Sequence, residues 1–139
     1  MSQYKIILAD DHALMREGLK RIIQEDPKLR VVDEAADGLE LLGILEKIAP
    51  DMVIIDINMP RLRGLEATKF IKEFYPEVKI LILTMNKSKE LVYQAMKNGA
   101  NGYLLKEDAH DVLQVAIERI RRGENYISPL IFDKPFSIL

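Results

Sequence analysis

The chain has 139 residues, 48% of them apolar and 30% charged, a balance that indicates one globular domain and excludes a disordered segment. Its formal net charge of -2, with both signs scattered along the chain, excludes a basic nucleic-acid-binding surface over the domain as a whole. Cysteine is absent, so disulfides and thiolate metal sites are excluded and a reducing cytoplasm is the expected location.

Short apolar runs alternate with amphipathic stretches along the chain and predict five strands. Their nearly continuous Ile, Val and Leu content is typical of strands that are covered on both faces, as in a buried parallel sheet. The predicted strands cover residues 5–9, 31–35, 52–55, 79–83 and 101–104.

Between these runs, apolar residues recur at helical spacing and predict five helices, each with one apolar face. Strands that alternate with helices of this length indicate right-handed β-α-β units, and hence a five-stranded parallel sheet sandwiched between helices. The residues that define the five apolar faces are Met15, Leu19, Ile22 and Ile23, then Leu41, Leu45 and Ile48, then Ala67, Ile71 and Phe74, then Val92, Ala95, Met96 and Gly99, and finally Leu113, Ala116, Ile117 and Ile120.

Polar residues and glycines mark where the helices begin and end. Asp37 with Glu40, and Asp108 with Asp111, place carboxylates where unpaired helix N–H groups need acceptors. Gly99 is placed where a helix should end. These positions agree with the helices that the apolar periodicity predicts.

After Gly123, another predicted helix end, the periodicity fades into Tyr126 and Pro129, a composition typical of a connector. We therefore predict one domain over residues 1–123 and a linker or tail over residues 124–139. The first residues carry no basic and apolar signal region. No apolar run approaches the roughly 18 residues of a membrane span, so no membrane association is expected.

Five reactive side chains follow the ends of the predicted strands. In an open parallel sheet, ligands bind beyond the carboxyl ends of the strands, near the point where the strand order reverses. Asp10 and Asp11 follow the first strand, Asp56 closes the third, Thr84 closes the fourth and Lys106 lies just past the fifth. We expect all five to converge on one edge of the sheet.

The chemistry of this set favours phosphoryl transfer. Three carboxylates in a partly dehydrated cleft repel one another unless a cation or a proton compensates, and Mg²⁺ commonly takes one or two carboxylates plus phosphate oxygens. A carboxylate can also attack phosphorus and form an acyl phosphate, while the metal neutralises the transferring group. Lys106 adds a positive charge and Thr84 a hydroxyl donor, both suited to phosphoryl oxygens.

Each of these residues also has a purely structural explanation. Asp10 or Asp11 can cap the first helix, and Asp56 can form an ordinary turn. Thr84 can be a strand-end hydroxyl and Lys106 a solvated surface lysine. The functional interpretation depends on all five residues following the correct strands together.

Histidines and methionines are interpreted structurally. His12 and His110 show no metal-ligand spacing, and we expect both to be exposed or at helix ends. The methionines Met52, Met59, Met85 and Met96 are expected to be packing residues.

Four short motifs occur in a fixed order along the chain. They are Asp10-Asp11, then Asp56-Ile57-Asn58-Met59-Pro60 with Gly64 after it, then Leu83-Thr84, then Gly102-Tyr103-Leu104-Leu105-Lys106. Over about residues 4–123 this set resembles the receiver family of two-component response regulators. Residues 8–12, 64–68 and 99–106 are similar to the subfamily whose receivers precede a LuxR/NarL-type helix-turn-helix output domain. The resemblance implies the flavodoxin-like receiver fold with strand order 2-1-3-4-5.

The resemblance implies a phosphorylation-activated signalling switch rather than an enzyme. Asp56 would accept a phosphoryl group from the phosphohistidine of a sensor histidine kinase, or from a small phosphodonor. Asp11 and Asp56 would ligate Mg²⁺ or Mn²⁺ directly, with Asp10 acting mainly through water and the backbone carbonyl of Asn58 completing the coordination shell. Regulation of transcription would be the output.

Within the family pattern, Thr84 and Lys106 would hold the phosphoryl oxygens, and Tyr103 matches the switch aromatic. The ring would turn inward as Thr84 moves toward the phosphoryl group, remodelling the face of the fourth helix, fifth strand and fifth helix. The structural alternative for Tyr103 is a half-buried packing ring with its hydroxyl in water. A homodimer on phosphorylation, through the last two helices or the edge of the sheet, is also implied.

Two features depart from the family pattern. Many receivers follow the site lysine with proline, whereas Glu107 follows Lys106; a cis bond there would cost roughly 3 to 4 kcal/mol. The helix-turn-helix domain is absent as well, so DNA binding would belong to a missing output domain. We expect an excised receiver whose tail, residues 136–139, is a cut linker.

Two other classes remain as alternatives. A receiver-like interaction module would signal by binding alone, without phosphorylation, although all five site residues are present. A magnesium-dependent phosphatase with an aspartyl intermediate would also need Asp, Lys and Thr near strand ends. The haloacid dehalogenase type places its second Asp two residues after the nucleophile, where this chain has Asn58.

Overall fold

A parallel sheet forms the centre of the protein. The computed structural model describes residues 3–132 and shows six strands in the order β2-β1-β3-β4-β5-β6, with every neighbouring pair parallel. The strands are β1 (Tyr4–Ala9), β2 (Leu29–Ala35), β3 (Met52–Ile55), β4 (Lys79–Thr84), β5 (Gly102–Leu105) and β6 (Tyr126–Ile127). The predicted α/β class and the order of the first five strands are confirmed.

Helices connect the strands and cover both faces of the sheet. They are α1 (Ala13–Ile23), α2 (Gly38–Leu45), α3 (Gly64–Phe74), α4 (Lys89–Lys97) and α5 (Ala109–Arg121). Short 3₁₀ helices lie between β5 and α5, at Lys106–Asp108, and after β6, at Pro129–Phe132. Within the described residues, no helix has both the length and the apolar character needed to cross a membrane.

Alternate residues of the strands enter two separate cores. In β1, Ile7 packs with buried residues of α2, α3 and α4, whereas Ile6 and Leu8 pack with α1 and α5 on the other face. This double burial explains the continuous apolar runs, because neither face of a central strand meets water. The two layers of helices thus cover both faces of the central strands.

The helix boundaries largely follow the predicted signals. The Asp37 carboxylate accepts a hydrogen bond from the Glu40 backbone N–H at 2.8 Å and caps α2. Gly99 and Gly123 take positive φ angles of 107° and 96° directly after the C-cap residues of α4 and α5, as expected for helix ends. The predicted cap at Asp108 is wrong: no side-chain capping bond is found there.

The prediction of a featureless connector after Gly123 is wrong for residues 126–132. Tyr126 and Ile127 form β6 and pair with Gly102 and Tyr103 of β5. Ser128 accounts for the missing cap, because its buried hydroxyl donates a hydrogen bond to the Asp108 carboxylate. A strand of two residues is too short to show periodicity, so the sequence carried no signal for it. The predicted cut linker, residues 136–139, lies outside the described residues.

Candidate functional site

The carboxyl ends of β1 and β3 bring the predicted acidic residues together. Ala9 pairs with Ile55 in the sheet, so Asp10 and Asp56 leave their strands side by side. Both are buried, with exposed fractions of 3% and 4%. One ligand atom each from Asp10, Asp11, His12 and Asp56 lies within 4.8 Å of the others. The predicted convergence of the three carboxylates is therefore observed.

Lys106 joins the two buried carboxylates. Its Nζ atom lies 2.9 Å from Asp10 Oδ2 and 3.2 Å from Asp56 Oδ2, and its side chain is only 8% exposed. Burial by itself lowers the pKa of Lys106, but hydrogen bonds and charge from Asp10 and Asp56 outweigh burial and raise this pKa above its usual value. The ammonium group is therefore charged at neutral pH, and the structural alternative of a solvated lysine is wrong.

Local turns orient both carboxylates toward this lysine. Asp10 Oδ1 accepts from the backbone N–H of His12 at 2.9 Å, and Asp56 Oδ1 accepts from that of Asn58 at 3.2 Å. These are the turn contacts that Asp residues commonly make with the backbone two positions ahead. Each carboxylate thus uses Oδ1 for its own turn and presents Oδ2 to Lys106. The turn predicted for Asp56 is confirmed, whereas the helix cap predicted for Asp10 or Asp11 is wrong, because α1 begins after His12 without a side-chain cap bond. Peptide bonds among the described residues are trans, including the bond after Lys106.

Thr84 and Tyr103 are linked through a residue that the sequence did not single out. Thr84 is fully buried at the end of β4, and its hydroxyl oxygen accepts from the backbone N–H of Asn86 at 3.3 Å. Tyr103 is also fully buried, and its hydroxyl donates to the Asn86 carbonyl at 2.7 Å. Burial raises the pKa of Tyr103 to about 12. The structural alternative of a half-buried ring with its hydroxyl in water is therefore wrong.

An open cleft lies next to the acidic cluster. It has a volume of about 550 Å³, and its lining includes Asp11, Asn58 and Arg63. Asp11 keeps about a third of its side-chain surface exposed, which places one carboxylate between the buried pair and solvent. A cation or a phosphate-bearing molecule can enter from this side. Asn58 is exposed and lines this cleft.

The donor set fits a hard divalent cation such as Mg²⁺. Three carboxylates and one ammonium group leave an excess of two negative charges within a small volume. Carboxylate oxygens are the ligands that Mg²⁺ and Mn²⁺ prefer, and such sites commonly leave positions for water and phosphate oxygens. The residues present are thus suited to hold the predicted cation.

Gly64 allows α3 to begin directly beneath the acidic cluster. A Cβ atom at this position would lie 2.6 Å from the backbone oxygen of Asp56 and 2.8 Å from the Cα of Ile57. The Gly64 N–H also donates to the Ile57 carbonyl at 3.0 Å. Because backbone atoms cannot move aside as a flexible side chain can, the loop after Asp56 requires glycine here.

Two residues at the site were missed by sequence reasoning. His12 is 69% exposed at the start of α1, as expected, yet its Nδ1 lies 3.2 Å from Asp10 Oδ1 and 3.1 Å from Asp11 Oδ1. Arg16 donates a hydrogen bond from Nη1 to the backbone oxygen of Asp10. Their closeness to Asp10 in sequence was the only available signal. The packing prediction is wrong for Met85, which is 78% exposed.

Known proteins share both the sequence and the fold. Residues 6–118 match the family described as response regulator receiver domain. The chain is 40% identical over 130 residues to the transcriptional regulatory protein DegU of Brevibacillus brevis, covering 94% of this chain and 55% of that protein. It is 42% identical over 126 residues to the oxygen regulatory protein NreC of Staphylococcus carnosus, covering 90% of this chain and 58% of that protein. The chain therefore spans little more than half the length of these curated relatives.

A solved structure agrees over nearly the whole fold. The crystal structure of a two-component response regulator of the LuxR family from Aurantimonas sp. SI85-9A1 superposes with a TM-score of 0.89 at 38% sequence identity. The match covers 94% of this chain and 93% of that one. The resemblance found in the four sequence motifs is thus confirmed by independent comparisons of sequence and of fold.

Proposed function

The chain belongs to the response regulator receiver domain family, and on that basis we propose that it is a phosphorylation-activated switch whose acceptor is Asp56. The observation that carries this proposal is the shared contact of Lys106 with two buried carboxylates, Asp10 and Asp56, beside the more exposed Asp11. Burying two carboxylates with one ammonium group costs free energy of folding. Such an arrangement therefore favours a functional role for these residues.

The proposed reaction transfers one phosphoryl group to Asp56. A carboxylate oxygen of Asp56 forms a bond to phosphorus, while the bond from phosphorus to the donor breaks and the donor leaves with that electron pair. The donor would be the phosphohistidine of a sensor histidine kinase or a small acyl phosphate. A divalent cation held by Asp10, Asp11, Asp56 and the backbone carbonyl of Asn58 would neutralise charge on the transferring group.

The chain's own residues would then stabilise the product. The Lys106 ammonium, freed from part of its contact with Asp56, can donate to a phosphoryl oxygen. The Thr84 hydroxyl accepts from Asn86, so its hydrogen can be donated to another phosphoryl oxygen. Movement of Thr84 would disturb Asn86, which also holds the Tyr103 hydroxyl. We propose this three-residue link as the route from the site to the face made by α4, β5 and α5.

The wider role follows from the relatives. We propose that the full-length protein is a two-component transcription regulator in which this receiver controls a DNA-binding domain lying beyond residue 139. The predicted division into a receiver over residues 1–123 and a linker over residues 124–139 is part of the same proposal, with the receiver extended to include residues 126–132, which pack against it. Homodimerisation on phosphorylation and a cytoplasmic location would complete it.

The proposal is tested by incubating the chain with magnesium and acetyl phosphate and measuring its intact mass. We expect the native chain to gain one phosphoryl group and Asp56→Asn to gain none. Asp51→Asn is the matched control, because Asp51 precedes β3 at the opposite end of the sheet and accepts from the Lys5 backbone N–H at 2.7 Å. A native chain that neither gains this mass nor responds to beryllofluoride would instead be a phosphorylation-independent interaction module.

A further inference from the structure

Arg16 ties the loop that carries the acidic pair to the neighbouring strand. Its side chain is 18% exposed, and its Nε donates to Glu34 Oε1 on β2 at 3.0 Å. Its Nη1 donates to the backbone oxygen of Asp10. A planar guanidinium group can hold both acceptors at fixed angles, unlike the ammonium group of lysine.

The contact with Arg16 is one of several that fix the position of Asp10. The backbone N–H of Asp10 donates to the Ala35 carbonyl at 3.0 Å, and its carboxylate contacts His12 and Lys106. His12 contacts the carboxylates of Asp10 and Asp11, whereas Arg16 holds the backbone oxygen of the peptide unit between them, and among the described contacts no other side chain does so. The Arg16 contact therefore orients the backbone from which the Asp11 carboxylate leaves the loop, and His12 Nδ1 contacts that carboxylate at 3.1 Å.

We propose that Arg16 is a positioning residue that sets the geometry of the Asp10-Asp11 pair for cation binding. It acts through the Asp10 backbone and touches neither the cation position nor the phosphoryl donor. The inference rests on the proposed cation site, and it assigns to Arg16 a role in affinity for the divalent ion. Outer contacts that orient ligands commonly change metal affinity by about 10- to 100-fold.

Charge and positioning predict opposite effects for the loss of Arg16. Removing a positive charge near three carboxylates should strengthen cation binding, because the local field becomes more negative. Removing a contact that orients the ligands should weaken binding. The sign of the change in affinity therefore separates the two roles without depending on its size.

Lys20 provides the matched control. Its Nζ lies 3.7 Å from Glu34 Oε2, so Lys20 and Arg16 share the same acidic partner from the same helix. The Lys20 side chain is 43% exposed, and among the described contacts it has none with Asp10. Lys20→Gln thus removes one positive charge and one ion pair to Glu34 but leaves the Asp10 loop held by Arg16.

The experiment measures Mn²⁺ affinity from the electron paramagnetic resonance signal of the free ion, for the native chain, Arg16→Gln, Arg16→Lys and Lys20→Gln. Unfolding of each variant in chelator reports whether it is folded. We expect Arg16→Gln to bind Mn²⁺ at least about 10-fold more weakly than native, and Lys20→Gln to bind as tightly as native or more tightly. Arg16→Lys keeps the positive charge but lacks the planar guanidinium group, so it should also bind Mn²⁺ more weakly than the native chain. This variant replaces Arg16→Gln in the comparison if Arg16→Gln does not fold.

Equal or tighter Mn²⁺ binding by both Arg16 variants would overturn the positioning role. An equal loss in Arg16→Gln and Lys20→Gln would also overturn it, because the shared Glu34 pair would then be responsible. Absence of Mn²⁺ binding by the native chain would contradict the proposed cation site itself, and with it this inference.

Discussion

Lys106→Met removes the ammonium group that contacts both buried carboxylates, Asp10 and Asp56. Lys106 lies 2.9 Å and 3.2 Å from them, and the two carboxylates are 3% and 4% exposed. Methionine keeps much of the length and apolar surface of lysine, so the substitution changes charge more than packing. In chelator, the folded variant must hold two buried carboxylates that have lost their shared ammonium partner.

The size of the effect follows from this burial. Removing one partner of a buried ion pair costs about 3 to 5 kcal/mol, because the remaining charge stays desolvated. For a chain of this size, each kcal/mol lowers Tm by about 4 °C, so we expect Lys106→Met to melt about 12 to 20 °C below native. The matched control is Lys87→Met, since Lys87 is 59% exposed and pairs with Glu107 at 3.4 Å. A surface pair of this kind should change stability by less than about 1 kcal/mol.

Thermal unfolding followed by circular dichroism, in chelator and then with magnesium, measures both effects. Magnesium should recover part of the stability lost in Lys106→Met, because binding to the folded state adds stability by mass action. The double variant Asp10→Asn, Lys106→Met should be more stable in chelator than Lys106→Met alone, because one of the two carboxylates is gone. The reasoning would be refuted if Lys106→Met melted in chelator at the native temperature.

Three further predictions concern the rest of the fold. Burial raises the pKa of Tyr103 from 10.0 to about 12, so the folded state keeps this proton longer than the unfolded state. Stability should therefore fall as pH rises from about 10 to 12, and Tyr103→Phe should lose less over that range in chemical unfolding experiments. Gly64→Ala should lower the free energy of unfolding by about 1 to 3 kcal/mol in urea titrations, because the added Cβ meets backbone atoms. Gly43→Ala is the control: Gly43 lies in α2 with nothing within 4 Å of an added Cβ, so the substitution should raise stability by up to about 1 kcal/mol. Ser128→Ala should lower stability by about 1 to 2 kcal/mol in the same assay, because the Asp108 carboxylate loses its hydroxyl donor; an unchanged midpoint would show that residues 126–132 are not fixed to the domain.

The sequence predicted most of the sheet because each central strand is buried on both faces. Runs such as residues 52–55 leave few alternatives, and the strand ends then place Asp10, Asp56 and Lys106 at one edge. The grouping of the site residues followed from topology alone. Their individual contacts did not, because the turns after Asp10 and Asp56 depend on side-chain geometry that periodicity does not describe.

The remaining features depend on contacts between distant parts of the chain. β6 forms by pairing with β5. A strand of two residues is too short to show an alternation of apolar and polar residues. Asp108 has the sequence position of a helix cap, but its carboxylate accepts a hydrogen bond from the hydroxyl of Ser128, 20 residues later. The link from Thr84 to Tyr103 runs through the backbone N–H and carbonyl of Asn86. Backbone groups are the same in nearly every residue, so the amino-acid type at position 86 does not reveal the link.

The chemical identity of the phosphorylated residue is the most direct test of the central claim. The chain is incubated with acetyl phosphate and magnesium, treated with borohydride and digested, and the peptides are sequenced by mass spectrometry. Borohydride reduces an aspartyl phosphate to the alcohol, so we predict homoserine at position 56 and only in the sample that received phosphodonor. Homoserine at Asp10 or Asp11 instead, or at no position in a chain that had gained phosphoryl mass, would contradict Asp56 as the acceptor.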